Sequence, residues 1–176
     1  MESASGGHHL VIAEYDPNWP TAFVLERGIV LAAIGDRLLA IEHIGSTAVP
    51  GLGAKPIIDV LAGLPRLLDA DACIPPLSER GYVFVPEAIR YLPDDRYFRR
   101  WNVGGIEAAH LHLAEYASTF WHERVRFRDL LRSAPEVAQA YESLKRELVR
   151  QYTSGPEYSV AKTEFIRSVL ANRVRS

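Results

Sequence analysis

The hydrophobic pattern of the chain changes character once, after Ser118, and that change divides a mixed first part from a helical last part. Near the start, Trp19, Phe23, Val30 and Ile34 recur at spacings that share one face of a helix ending near Gly35. Asp16-Pro17 reads as its N-cap followed by proline at the first helical position. Leu10-Val11-Ile12 is a short strand or an anchoring run. Short apolar runs with β-branched residues and Gly/Pro boundaries then predict strands at Leu38–Ile44, Ile57–Leu61 and Tyr82–Val85. Between the last two, Leu67–Arg80 reads as a helix broken at Pro75-Pro76. Arg96–Val103 and His110–Leu113 form a strand pair with Gly104-Gly105 as the turn signal. Three helices are expected after Ser118, over 119–132, 135–152 and 157–173. Val137, Ala140, Tyr141, Leu144 and Leu148 share a face of the middle one, and Ala161, Phe165 and Val169 are in register on the last. The sum is an α+β architecture: a small mixed β-sheet packed against a C-terminal helical bundle, with residues 10–176 as one domain and Met1–His9 as a disordered lead.

Composition narrows the function classes more than it identifies one. A formal charge of −2 over 176 residues excludes broad nucleic-acid binding, which needs an excess of Lys and Arg. The single cysteine, Cys73, can form neither an intramolecular disulfide nor a thiolate cluster, which points to a reducing compartment. No apolar run reaches the roughly 18 residues of a membrane span. The small, polar start lacks the basic and apolar regions of a signal peptide, so a cytoplasmic protein is expected.

Four places carry candidate chemistry. Gly45-Ser46-Thr47 ends an apolar run; its hydroxyls and free N–H groups suit phosphate oxygens, or the segment is only a turn with a helix cap. Asp59 interrupts a second apolar run, and a carboxylate there requires a partner. A divalent cation is one such partner, and Lys55 is another. His110 and His112 fall on one strand face, where they serve as ligands, phosphate contacts, acid/base groups or structural side chains. Arg90, Arg96, Arg99 and Arg100 alternate with Tyr91, Tyr97, Phe98 and Trp101, a pattern that fits phosphate and base contacts or a half-exposed sheet. Arg124, Arg126, Arg128, Lys145 and Lys162 of the last helices read as surface charges.

From Ile12 to Ile166 the chain resembles the GrpB-like proteins of the nucleotidyltransferase superfamily. The resemblance is carried by Glu14-Tyr15-Asp16-Pro17-Asn18-Trp19, by His43–Leu52, and by Lys55-Pro56-Ile57-Ile58-Asp59. It continues in His110-Leu111-His112-Leu113, Phe127–Leu131, the helix from Pro135 to Lys145, and Tyr158 through Lys162 to Phe165-Ile166. It implies a nucleotidyltransferase-type sheet with Gly45, Ser46 and Thr47 at the phosphates of a nucleotide or other phosphorylated small molecule. Lys55, Arg99, Lys145 and Lys162 would be further phosphate contacts. Asp59 would bind Mg²⁺ or Mn²⁺ with Glu42 as a supplementary oxygen ligand, and His110 and His112 would take part in catalysis. The superfamily's second acid is missing, because Leu61 stands there. Three readings follow: an enzyme moving a nucleotidyl or phosphoryl group to an acceptor; a non-catalytic nucleotide-binding or phosphometabolite-binding module, with a coenzyme A-related ligand as one case; and an interaction protein with a merely structural polar cluster.

Overall fold

In the computed structural model the described residues are 11–152 and 155–172, so the expected lead, Leu10 and the end of the last helix lie outside them. Chain order gives α1 (Trp19–Ile34), β1 (Ala40–Ile44), β2 (Ile58–Leu64), α2 (Ile74–Ser78), β3 (Tyr82–Phe84), β4 (Arg96–Trp101) and β5 (Glu107–Glu115). Four helices follow: α3 (Thr119–Ser133), α4 (Pro135–Gln151), α5 (Gly155–Ala161) and α6 (Thr163–Asn172). The strands form one mixed sheet in the order β1-β2-β5-β4-β3, parallel between β2 and β5 and antiparallel elsewhere. The α+β architecture, a mixed sheet against C-terminal helices, is the expected one.

Local chemistry moved several boundaries. Asp16 does not cap α1; its Oδ1 accepts from the backbone N–H and the side-chain amide of Asn18 at 2.8 and 2.9 Å, and the helix starts at Trp19 with Pro20 in its first turn. Pro75-Pro76 opens a helix rather than breaking one, because proline's missing N–H costs nothing in a first turn. The residues before it, Leu67–Cys73, form a 3₁₀ segment. The expected last helix is interrupted at Lys162, between α5 and α6. Ser118 caps α3 by accepting from the Trp121 N–H at 3.2 Å.

The two sheet faces differ in chemistry because strand side chains alternate. Val60, Ala62, Leu64, Leu111, Leu113, Phe98 and Tyr82 project to one face and pack against Trp19, Val30, Ile34 and Leu77 from α1 and α2. Each such aliphatic side chain, fully buried, contributes roughly 1.5–3 kcal/mol. The opposite face carries Asp59, His110, His112, Tyr97 and Arg99, as the strand register requires. It is apolar only where Ile44, Leu61 and Ala114 receive Phe120 and Trp121 of α3. Gly63 permits that docking, since a Cβ there would lie 2.9 Å from the Trp121 ring. Helix α4 then packs Tyr141 against Val49 and Leu52, holding the loop that follows β1.

Candidate functional site

Charged side chains of the polar sheet face and of helices α4 to α6 gather about the partly exposed Asp59, hereafter the recess. β1 ends at Gly45, which adopts φ +72°. A Cβ on Gly45 would run into Oδ2 of Asp59, with Cγ only 3.0 Å away. Glycine is needed for two reasons: the backbone angle disfavours L side chains, and the carboxylate occupies the space. Ser46–Ala48 is a single 3₁₀ turn without a side-chain cap. Ser46 Oγ accepts from Lys145 Nζ at 3.0 Å, and the same ammonium donates to the Gly53 carbonyl. Thr47 takes no part in the recess. Its hydroxyl donates to Ile57 O at 3.4 Å and meets His43 Nε2 at 3.0 Å, with 2% of the residue exposed. His43 lies flat on Phe23 with ring centres 4.6 Å apart, and burial lowers its pKa to about 4, so it stays neutral.

Asp59 pairs in register with His110 across the parallel strands, and its Oδ1 lies 3.0 Å from Nδ1. The other ring nitrogen, Nε2, lies 3.1 Å from Glu107, which also receives Arg99. Burial opposes a charge on His110, yet the bonds to two carboxylates outweigh it and raise the pKa. Burial likewise opposes ionisation of Asp59 and Glu107. His110 with His112 and Lys162 holds Asp59 below the usual range, and His110 with Arg99 holds Glu107 at about 2. The Asp59 side chain keeps 28% of its surface exposed, so solvent reaches it. Tyr97 sits with its ring centre 5.2 Å from that of His110 and 5.1 Å from that of His112. Nδ1 of His112 bonds the buried Asp95 at 2.6 Å.

The opposite wall is cationic. Lys145 of α4 is 2% exposed, and burial followed by repulsion from Lys162 lowers its pKa to about 7. Lys162, at the α5–α6 break, falls to about 8 through burial, with Asp59 opposing the shift and Lys55 adding to it. Lys55 is lowered by burial as well. The ammonium groups of Lys55 and Lys162 lie 4.1 and 4.3 Å from the centre of the Tyr158 ring, and that of Lys145 lies 5.0 Å from Tyr141. Three lysines thus lie near Asp59, and burial lowers the pKa of each although Asp59, Glu107 and Glu142 oppose the shift.

Among the residues singled out from sequence, the structure brings Gly45, Ser46, Lys55, Asp59, His110, His112, Lys145 and Lys162 to this recess. Glu42 is elsewhere: it accepts from Arg128 at 2.6 Å and is opposite Leu61, not Asp59. Arg99 is held by Glu107 and lies over Trp101. The donor set does not fit a two-metal centre. Leu61, at the second acid position, is fully buried under α3, and His110 already joins Asp59 to Glu107. Among the described residues no group of three or more His, Cys, Asp or Glu is arranged to hold a metal ion.

Tyr141, Tyr158, Glu107 and Asp95 are not among the candidate site residues singled out from sequence. The tyrosines did leave a signal: Tyr141 precedes Lys145, and Tyr158 precedes Lys162, by four residues each, which stacks ring and ammonium on one helical face. Asp95 left none, since Pro93-Asp94-Asp95 reads as an ordinary turn.

Comparisons with known proteins agree with this layout over most of the chain. The family profile described as "GrpB protein" matches residues 9–172. The "Glutamate-rich protein GrpB" of Alkalihalophilus pseudofirmus is 30% identical over 164 residues, spanning 92% of this chain and 94% of that one. The crystal structure of "conserved protein GrpB from Enterococcus faecalis" superposes with a TM-score of 0.80 at 28% identity, covering 94% of this chain and 98% of the other. A 70-residue stretch is 37% identical to the dephospho-CoA kinase of Mycolicibacterium paratuberculosis, covering 38% of this chain and 17% of the kinase. With its profile matched from residue 9 to 172 and its fold shared over 94% of its length, the chain belongs to the GrpB family.

Proposed function

We propose that the recess binds the phosphate groups of a nucleotide or other phosphorylated small molecule, and that it does so without a divalent metal. The observation that carries this reading is the gathering of Lys55, Lys145 and Lys162 near Asp59, where Glu107 and Glu142 face Lys55 and Lys145 as well and burial still holds Lys145 near 7 and Lys162 near 8. An anion entering there restores the lysines' full charge, and ammonium groups in a low-dielectric site hold phosphate oxygens strongly. Ser46 adds a hydroxyl donor. In this reading the lysines supply the positive charge that Mg²⁺ or Mn²⁺ supplies in a two-metal enzyme. The similarity to part of a dephospho-CoA kinase supports a coenzyme A-related compound as one member of the ligand class. No described helix is long and apolar enough to cross a membrane, which suits a small dissolved ligand.

Nucleotidyl or phosphoryl transfer is the second reading, favoured by the position of Asp59 directly beneath the Gly45-Ser46 turn. It must operate without the second acid, because Leu61 cannot ligate or accept a proton.

A thermal-shift series with nucleoside mono-, di- and triphosphates, coenzyme A and inorganic pyrophosphate, each with EDTA or Mg²⁺, tests the proposal. A ligand at about a hundred times its Kd adds roughly 2.7 kcal/mol of stability. The expected result is stabilisation in EDTA that falls by about half, to roughly 1.4 kcal/mol, in Lys145→Met. Stabilisation that requires Mg²⁺ and survives Lys145→Met would reject it.

A further inference from the structure

Beside the recess is a second carboxylate–imidazole pair that phosphate binding leaves unused. Asp95, in the turn before β4, is 1% exposed, and its Oδ2 meets Nδ1 of His112 at 2.6 Å. Its Oδ1 is enclosed and has no partner among the described residues. The desolvated carboxylate is therefore directed at one imidazole. With Nδ1 as donor, the neutral ring carries its lone pair on Nε2. Among the described residues Nε2 has no hydrogen-bond partner, and the His112 side chain keeps 15% of its surface exposed.

The placement of this pair is as informative as its bonding. His112 follows His110 by two residues on β5 and shares its sheet face, about 7 Å further along. His110, His112 and Lys162 all act on the carboxylate of Asp59, and Leu61, two residues on from it, pairs with His112 across the parallel strands. Tyr97 packs on His112 from β4, and Arg124 of α3 acts on Asp95 from above. His110 cannot serve as a base, since Asp59 and Glu107 occupy both of its nitrogens.

We propose that Asp95 and His112 are a proton-accepting dyad at one end of the recess, serving a water molecule or a substrate hydroxyl that attacks a phosphorus of the bound ligand. This rests on the phosphate-binding reading above. In the step, the acceptor oxygen bonds to phosphorus while the bond from phosphorus to the departing phosphate oxygen breaks. The electron pair leaves with that oxygen, and the acceptor's proton moves to Nε2 of His112. The imidazolium so formed faces Asp95, whose charge it matches. Lys145 and Lys162 balance the negative charge on the departing group. His112 is the catalytic residue in this scheme, and Asp95 a positioning residue that fixes its tautomer.

Two measurements on the full chain test the dyad. Nitrogen-15 spectra of the neutral His112 ring should show a protonated Nδ1 and a bare Nε2, with the assignment reversed in Asp95→Asn because an amide donates to Nδ1. A protonated Nε2 in the unmutated protein overturns the proposal, whether or not the variant folds. Diethyl pyrocarbonate should modify His112 faster than His43 or His110, and about tenfold more slowly in Asp95→Asn. ATP or inorganic pyrophosphate, at a concentration that stabilises the protein, should protect His112. If these probes stabilise the protein but leave the His112 rate unchanged, the dyad is not at the ligand and the proposal fails while phosphate binding stands. If His112 reacts as expected but no phosphate compound stabilises the protein, the binding reading itself has failed and takes the proposed step with it.

Discussion

The sheet carries two buried clusters of the same ingredients, one on each face, and they behave differently. On the apolar face Glu26 of α1 accepts from Tyr82 Oη at 2.8 Å and from Arg100 Nε at 3.0 Å, with a second Arg100 nitrogen on its other oxygen. On the polar face Asp59 meets tyrosines, a histidine and three lysines, yet His110 alone is its close charged partner. The first cluster is closed: one carboxylate, one guanidinium and one hydroxyl satisfy one another. The second is open: Asp59 and Glu107 share it with His110, Arg99 and three lysines, more cations than two carboxylates match. A closed cluster holds α1 onto the strands. An open one has capacity left for a ligand. Cation type follows the same division, since arginine keeps its charge in any setting while a buried lysine can release its proton.

The largest effect is expected from breaking the closed cluster. Glu26→Gln strands the buried Arg100 charge and should cost about 3–5 kcal/mol in denaturant unfolding. Asp59→Asn, an equally small change, should cost only about 1 kcal/mol, the worth of its hydrogen bond, because Lys145 and Lys162 can shed protons. Equal losses in the two variants would end the distinction. Next comes Gly45→Ala, which combines a positive φ with overlap onto Asp59 and should cost about 3 kcal/mol in the same assay. A shift of under about 0.5 kcal/mol would mean that the turn and Asp59 are not in contact.

Lys145→Met removes the ammonium between Ser46 and Gly53 and should weaken phosphate-ligand binding about tenfold in calorimetry, or about 1.4 kcal/mol. Glu42→Gln, away from the recess on Arg128, should leave binding unchanged.

The smallest effect is a pH dependence with opposite signs for folding and binding. The folded-state pKa values of Lys145 and Lys162, about 7 and 8, lie below the unfolded value of 10.5. The unfolded chain therefore holds more protons from about pH 7 upward, and these two groups make stability rise with pH across that window. Ligand affinity should fall over the same window, because a bound anion requires both lysines protonated. Calorimetry near pH 8 in buffers of different ionisation enthalpy should show proton uptake on binding. Proton release, or no exchange, would mean that the lysines do not meet the ligand.

Much of this was legible in the chain, for identifiable reasons. Strands with alternating apolar residues and glycine boundaries could be read because burial on one face imposes that period. Gly45, Ser46 and Asp59 stood out because each breaks its local pattern. Boundaries were harder to place where side-chain chemistry decided them, as at Asp16, whose carboxylate makes a turn with Asn18 instead of capping α1. The partners of Glu42 and Thr47 were also out of reach. One lies on a helix 86 positions away, and the other bonds a histidine whose neutrality depends on burial. The open end of the Asp95–His112 pair depends on an enclosed oxygen, which only packing reveals.

Leu61 shows how an architecture can fix a lineage to one chemistry. It fills the strand position two residues after Asp59, and Phe120 and Trp121 of α3 pack around it. An aspartate there would have to be desolvated beneath that helix, so no single substitution installs a second metal-binding acid beside Asp59. The helix would have to lift first, and the aromatic side chains that hold it down would have to change with it. Any ancestor or descendant using two metals is therefore separated from this protein by a coordinated set of changes along α3, and libraries that aim to install metal chemistry here should vary positions 61, 120 and 121 together.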